Sequence, residues 1–374
     1  MISGRLRDTK LIVNLGAIRH NIQEQQKQLA PNSKIFAVVK ANAYGNGLIP
    51  VAQTAIGAGA TGACVAILDE ALELRDNGIT KLILVLGITP VENAHVAAEA
   101  GVSLTVGSLD WLKNYHQLAS ANHWTKPLKV HLGIDSGMGR IGFTTVESFN
   151  KAVEFVREHR EFEFEGMFTH FATADSADES YFNKQVNRWE QFVNSLNELP
   201  PFVHMANSAT GMWHQEKITA NTVRMGISMY GQNPSGRELA ATLDLKPVEQ
   251  LVTSISFVKK LKAGESVSYG ATYTAQEDEW LATLPIGYAD GYPRCMTGYK
   301  VLVDGQFCDI AGRVCMDQMM IRLPKPYPVG TRVVLMGRSR DKKITADDLA
   351  DQAGTINYEI MTNINNRVHR VYTD

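Results

Sequence analysis

A single lysine, Lys40, ends the apolar run in "FAVVKANAYGNG" (residues 36–47), and small residues and two glycines follow it. A lysine held at the end of a buried strand among other cations gives up its proton more readily. Its free amine is then a nucleophile toward carbonyl groups. Other polar groups end or follow similar runs. Tyr44 comes shortly after the lysine, "SGMGR" ends in Arg140, and "FEGMFTHF" carries His170. "PFVHMAN" carries His204 and Asn207, followed by Ser208, while "TVRMGISM" carries Arg224, Gly226 and Ile227. "NSATG" opens a helix with Ser208 as its expected N-cap, and backbone N–H groups there suit a phosphate. Gly226 lets backbone approach the same group, and Arg224 and His170 are placed to meet a ring held between lysine and phosphate. An imine-forming lysine, a phosphate cradle and ring partners together describe pyridoxal phosphate. Taken singly, each has a plainer reading. Lys40 is a solvated charge, Arg224 an ion-pair partner, His170 and His204 core histidines, and "NSATG" a routine helix start. The chemical reading requires that they share one rim.

The surrounding pattern supplies such a rim. Eight short apolar runs, at 35–39, 63–68, 82–87, 102–107, 128–134, 164–171, 201–207 and 222–229, alternate with longer segments such as "DEALELRDNG" and "VESFNKAVEFVREH". Those segments place apolar residues three and four apart, as amphipathic helices do, and Gly78 and Gly101 sit where helix C-caps belong. This alternation is what a (β/α)8 barrel of the TIM type requires. An open doubly wound sheet also alternates, but no G-x-G-x-x-G opens the first helix. In a barrel, chemistry sits at the C-terminal ends of the strands and phosphate after strands seven and eight, where the residues above fall. Beyond about residue 240, "LVTSISFVKKL" and "SVSYGATYTA" partly alternate, and Asp304-Gly305 signals a hairpin. We expect an α/β chain: a barrel over 1–240, then a mostly β domain over 241–374.

Composition narrows the function classes. With 37 basic against 39 acidic residues, no charged surface for nucleic acid or membrane is indicated. No apolar run is long enough to span a membrane, and the N-terminus lacks a signal-peptide pattern, so a cytoplasmic location is expected. Cys64, Cys295, Cys308 and Cys315 are spaced for neither a zinc site nor a redox pair, which leaves free structural thiols and no metal.

Nine segments then carry a specific likeness. "AVVKANAYGNG", "GMGRIGF", "THFATAD", "HMANSAT", "VRMGISMYG", "VSYGATYTA", "LPIGYADGYPR", "GRVCMDQMMI" and "NYEI" occur in the order found in bacterial alanine racemases, which the chain resembles over essentially its whole length. The resemblance implies pyridoxal 5'-phosphate as cofactor, alanine as substrate, D-alanine for the cell wall as product, and a homodimer. It implies that Lys40 holds the cofactor as an imine and is the base for the D-isomer, with Tyr269 the opposite-face base for the L-isomer. Arg224 bonds the pyridine nitrogen. Tyr44, Ser208, Gly226, Ile227 and Tyr358 bind the phosphate, and Asn207 joins the cofactor residues. Arg140 contacts the cofactor phenolate and the substrate carboxylate, with Met316 and Asp317 on the substrate. His170 links Tyr269 towards Arg224. Tyr269, Met316 and Asp317 come from a partner chain, so each site is composite.

The chemistry suits these roles. Two bases on opposite sides of a planar carbanion move a proton from one face to the other. Free tyrosine, with a pKa of roughly 10, is a poor base at neutral pH, and a cation network through His170 and Arg224 would lower that value. An arginine at the ring nitrogen disfavours its protonation and so limits transamination. One departure stands out. Many family members carry a carbamylated lysine seven residues before the arginine of "GMGR", and here that position is Gly133. A bound anion or water in the vacated space is the expected replacement. The competing readings are a non-catalytic cofactor carrier, a decarboxylase of related fold, and a racemase of another small amino acid such as serine. The first is opposed by the second domain with Tyr269. The second is opposed by Arg224, which stands where those enzymes use a carboxylate.

Overall fold

The structure, a computed structural model, describes residues 2–374. It forms two compact units that a single cut does not separate. One comprises Ile18–Ala43 and Leu48–Lys246, and the other gathers the N-terminal segment through Ala17, Tyr44–Gly47 and Pro247–Asp374. The first strand, β1 (Lys10–Asn14), explains the exchange. It pairs antiparallel with β10 (Glu249–Ser254) and parallel with the final strand, His369–Thr373. Leu11 and Val13 alternate inward and are fully buried there. Five residues of alternation leave such a strand's partner unstated in the sequence, and the expected division at residue 240 does not anticipate this exchange.

The barrel unit contains β2 (Lys34–Val38), β3 (Gly62–Val65), β4 (Leu82–Ile88), β5 (Ser103–Val106), β6 (Leu128–Gly133), β7 (Phe162–Phe168), β8 (Phe202–His204) and β9 (Thr222–Met225). All eight expected runs are strands, in sequence order from β2 to β8, with β9 closing on β2. A parallel bridge between Ala206 and Val223 joins β8 to β9 and completes the ring. The helices bury the stripe their spacing encodes. In Val146–Glu158, Phe149, Ala152, Val153 and Val156 face inward, and the Thr145 hydroxyl caps the start by accepting from Ser148 N at 3.2 Å. Fully burying a side chain such as Phe149 contributes about 1.5–3 kcal/mol. Gly78 and Gly101 end their helices at φ of +82° and +61°, a conformation that costs other residues more.

The second unit continues from β10 with β11 (Phe257–Leu261), β12 (Ser266–Val267), β13 (Tyr273–Thr274), β14 (Glu279–Leu284), β15 (Lys300–Val303), β16 (Gln306–Asp309), β17 (Met319–Leu323), β18 (Arg332–Ser339), β19 (Lys342–Ile344) and β20 (His369–Thr373). Its larger sheet runs β16-β15-β18-β10-β1-β20, and β11-β14-β17 form a second. The Asp304-Gly305 hairpin forms, both residues at positive φ as its tight turn needs. Two other readings change. "LVTSISFVKKL" divides between β10 and β11, in different sheets. "SVSYGATYTA" forms only the two-residue strands β12 and β13, and Tyr269 lies on the loop between them. Leu261, Val267, Ala275, Leu281 and Ala311 pack as the core beneath that loop.

Candidate active site

Lys40 follows β2, and the chain then makes a left-handed turn: Ala41, Asn42, Ala43 and Tyr44 all have φ between +53° and +55°. For residues with a Cβ this costs about 1–2 kcal/mol each. Compensation comes from nearby acceptors. One carboxylate oxygen of Glu70 accepts from Ala41 N (2.6 Å) and Asn42 N (3.4 Å), and the other from Ala66 N (2.8 Å). The Asn42 side-chain oxygen accepts from Leu48 N at 2.8 Å. Strain of this size persists only where surrounding groups over-determine it, and here it adjoins Lys40. Burial first, then Arg140, lowers the Lys40 pKa; Glu70 opposes this, and Arg224 adds a smaller push in the same direction as Arg140. The amine is thus more easily freed, as its strand-end position suggests. Burial pushes the neighbouring Cys64 thiol up to about 12, so it stays neutral, and all four cysteines are free.

Arg224, on β9, is only 4% exposed. Its guanidinium donates to the His204 carbonyl (2.7 Å), the Thr169 carbonyl (2.7 Å), His204 Nδ1 (2.9 Å) and His170 Nδ1 (3.3 Å). No carboxylate is among these partners. A guanidinium only donates, so both Nδ1 atoms must be bare and accept. Burial, then the cations Arg224, Arg140 and Lys40, hold the His170 pKa down at about 3. That corrects the expected cation network: His170 is neutral, and the charge beside it belongs to Arg224.

The helix start after β8 differs in detail from the expectation. Asn207, not Ser208, is the N-cap of Ser208–Trp213, its side-chain oxygen accepting from Thr210 N at 2.9 Å. Asn207 thereby releases the Ser208 hydroxyl, which accepts from Gly226 N (2.8 Å) and Ser228 N (3.4 Å). Both residue types cap helices well, so sequence alone does not decide which does. Ile227, next to Gly226, is buried.

Arg140 lies exposed in a loop that Asp135 organises by accepting from Gly137 N (2.9 Å) and Gly139 N (3.0 Å). No carboxylate among the described residues holds Arg140. At Gly133 a Cβ would meet the Phe168 ring at 3.5 Å and the Thr105 methyl at 3.6 Å. The ring, rather than open space for an anion, lies where a side chain at 133 would begin.

In the second unit, Tyr44 and Tyr358 bring their rings to 6.2 Å between centroids. Tyr269 is 71% exposed, on a loop where Ser268, Gly270 and Ala271 all have positive φ. The Ser268 hydroxyl donates to the Arg313 carbonyl at 2.7 Å, tying this loop to the one carrying Met316, itself 52% exposed. Met316 uses its carbonyl to accept from Ala289 N at 2.9 Å. Asp317 is paired with Arg367 at 2.6 Å. The barrel rim thus gathers Lys40, Arg140, His170 and Arg224, with Ser208 tied to Gly226, while Tyr44 with Tyr358, and Tyr269 with Met316 and Asp317, belong to the other unit. Glu70, His131 and Glu165 escape a reading by motifs, and Thr169, which opens "THFATAD", received no role there. For His131 and Glu165 a signal existed: a histidine inside "LKVHLGI" and a glutamate inside "FEGMFTHF" interrupt buried strands.

This donor set fits pyridoxal phosphate: an amine with lowered pKa, a buried guanidinium for a ring nitrogen, and a Ser208–Gly226 element for phosphate. Among the described residues no cluster of His, Cys, Asp or Glu could hold a metal.

Comparison with known proteins agrees. Models of the alanine racemase N-terminal and C-terminal domains match residues 13–234 and 248–372. The alanine racemase of Limosilactobacillus reuteri (strain DSM 20016) is 78% identical over 372 residues, covering 100% of this chain and 99% of the relative. The crystal structure of alanine racemase from E. faecalis superposes with a TM-score of 0.97 at 44% identity, over 100% of both chains. A histidine racemase from Leuconostoc mesenteroides subsp. sake has a TM-score of 0.94 at 36% identity, also over 100% of both.

Proposed function

The chain belongs to the alanine racemase family, and we propose that Lys40 and Tyr269 are the two bases that pass the Cα proton of alanine between its faces. The protein is an isomerase that interconverts L- and D-alanine and serves the D-alanine supply for peptidoglycan. Pyridoxal 5'-phosphate, when bound, supplies the electron sink that makes the Cα proton removable. Lys40 serves the D-isomer, and its lowered pKa and left-handed turn support that role. Arg224 faces the ring nitrogen, and its lack of any carboxylate partner keeps its full charge for that contact. Tyr44, Ser208, Gly226, Ile227 and Tyr358 hold the phosphate end, with Asn207 among the cofactor-binding residues. Arg140 and the Met316 backbone receive the substrate carboxylate, with Asp317 alongside.

Tyr269 is the base for the L-isomer and acts in the barrel of a second copy, where the neutral His170 links it to Arg224. What supports this is its exposure: an aromatic side chain displayed on a strained loop is held ready for something outside its own unit. Met316 and Asp317 reach the same second copy. Among the described residues no helix is long and apolar enough to cross a membrane, and we place the enzyme in the cytoplasm. A racemase of another amino acid is the second reading, since a histidine racemase shares the fold. The 78% identity to an alanine racemase favours alanine.

The test begins with absorbance of the purified protein near about 420 nm, where a protonated imine absorbs. Deuterium exchange at Cα of each alanine enantiomer follows. Lys40→Ala loses both signals. Tyr269→Phe keeps the colour and loses exchange mainly from L-alanine. Mixing the two variants restores about one quarter of wild-type activity if sites are composite, because half the dimers are mixed and each has one intact site. No restoration on mixing would refute the shared site, and a colourless wild type supplied with the cofactor would refute the whole assignment.

A further inference from the structure

Below Arg224, a chain of buried polar groups runs down the inside of the barrel. His204 Nε2 lies 2.8 Å from His131 Nδ1, and His131 Nε2 lies 3.0 Å from a carboxylate oxygen of Glu165. The Ser103 hydroxyl donates to that same oxygen, and Lys129 Nζ donates to the other at 3.0 Å. His131 and His204 are wholly buried, Ser103, Glu165 and Arg224 nearly so, and the Lys129 side chain is 37% exposed. Strands β5, β6, β7, β8 and β9 each contribute. Phe36, Phe168 and Phe202 wall the chain in, with Phe168 stacked on His204 at 5.0 Å. A buried carboxylate is expensive, and a packed apolar barrel floor would have avoided it.

The direction of every bond follows from its two ends. Arg224 can only donate, so His204 Nδ1 is bare and its proton sits on Nε2. That proton points at His131, so His131 Nδ1 is bare and its Nε2 donates to Glu165. A doubly protonated His131 would turn a second N–H toward His204 Nε2. His204 would then need both ring nitrogens bare, an imidazolate. His131 is therefore a neutral donor to Glu165 and not half of an ion pair. We propose that Glu165 is a positioning residue for Arg224: acting through His131 and His204, it sets both imidazole tautomers so that a bare nitrogen always faces the guanidinium and holds its plane. The inference rests on the reading that Arg224 faces the cofactor's ring nitrogen. Glu165 suits the task because, against burial, hydrogen bonds from His131, Ser103 and Lys129 hold its carboxyl below the usual carboxylate range, so it stays an acceptor.

A single substitution reverses the chain. In Glu165→Gln, the Lys129 ammonium selects the amide oxygen, because an N–H group facing it would find nothing to accept. The amide nitrogen then faces His131 Nε2, which must become the acceptor. His131 Nδ1 then donates to His204 Nε2, and His204 Nδ1 carries a proton directed at Arg224, donor against donor. Adding Lys129→Met frees the amide to turn over, so its oxygen again faces His131 and the original direction returns.

The measurements are made on holoenzyme with 15N-labelled histidine. In the wild type at neutral pH, His131 and His204 each show a protonated Nε2 and a bare Nδ1. Glu165→Gln moves the His204 proton to Nδ1 and lowers kcat about 10-fold to about 100-fold, by analogy with the loss of carboxylates that orient metal-bound histidines. KM for alanine stays within about twofold, since the substrate contacts are elsewhere. Lys129→Met/Glu165→Gln recovers kcat and the tautomer, an outcome that damaged packing would not produce. Wild-type kcat and unchanged tautomers in Glu165→Gln overturn the proposal, as does a failure of the double variant to recover. If Glu165→Gln does not fold, the wild-type spectrum decides, and a doubly protonated His131 or a proton on His204 Nδ1 overturns it. Arg224→Gln is the control. An unchanged kcat and cofactor absorbance there would overturn the reading of Arg224 itself, whereas a change there beside an inert Glu165→Gln overturns only the relay.

Discussion

Glu249, on β10, makes stability of the second unit depend on pH in an unusual direction. The residue is 3% exposed. One of its carboxylate oxygens accepts from the Asn46 side-chain nitrogen at 2.6 Å, and the other has no partner among the described residues. The cation acting on it is Arg370, four of whose five N–H groups go to the carbonyl oxygens of Gly45, Ile364, Asn365 and Val368. Burial therefore wins over Asn46 and Arg370 and raises the carboxyl pKa from 4.5 to about 7. An acid whose folded pKa is raised keeps its proton in the folded state when the unfolded chain has released it. Stability is thus full below about pH 4.5, falls as pH rises, and levels off above about pH 7. The whole fall amounts to about 3 kcal/mol, an upper bound because relaxation around the ionised group reduces it. Glu249→Gln mimics the protonated acid and removes this dependence. Thermal unfolding of both proteins across the range provides the assay. Their midpoints should nearly coincide at about pH 5, and the variant should lie about 6–12 °C higher at about pH 8, at about 2–4 °C per kcal/mol for a unit of this size. Parallel pH curves for the two proteins would refute the reasoning.

Two further outcomes follow from the barrel. Glu70→Ala removes the acceptor of three backbone amides, and hydrogen bonds to a charged group contribute about 1.5–3 kcal/mol each. It should lower the thermal midpoint and weaken cofactor binding by at least about tenfold, read by absorbance titration. Gly133→Ala should be tolerated, since its Cβ would meet neighbours only at 3.5–3.6 Å and its backbone is unstrained. Gly133→Leu should push Phe168 off His204 and cost about 1–3 kcal/mol by overpacking, seen in thermal midpoint and kcat together.

What the sequence determined by itself was whatever local pattern or residue chemistry encodes. Eight apolar runs separated by amphipathic segments specify eight barrel strands, because burial on both faces and helical periodicity are each written into neighbouring residues. Lys40, Arg224 and the "NSATG" turn were legible because chemistry restricts residue type at strand ends. The tertiary structure alone decided the rest. Whether Asn207 or Ser208 caps the helix depends on which side-chain oxygen Gly226 and Ser228 reach. That four residues after Lys40 turn left-handed depends on Glu70, nearly thirty positions away. His131 and Glu165 look like flaws in apolar strands until the ring closes and aligns them beneath Arg224. Strand β1 finds its partners more than two hundred residues later. Pattern records which side chains must be buried, whereas the partner each polar group meets is set only when distant strands close around it, since an unpaired buried group costs more than the pattern can show.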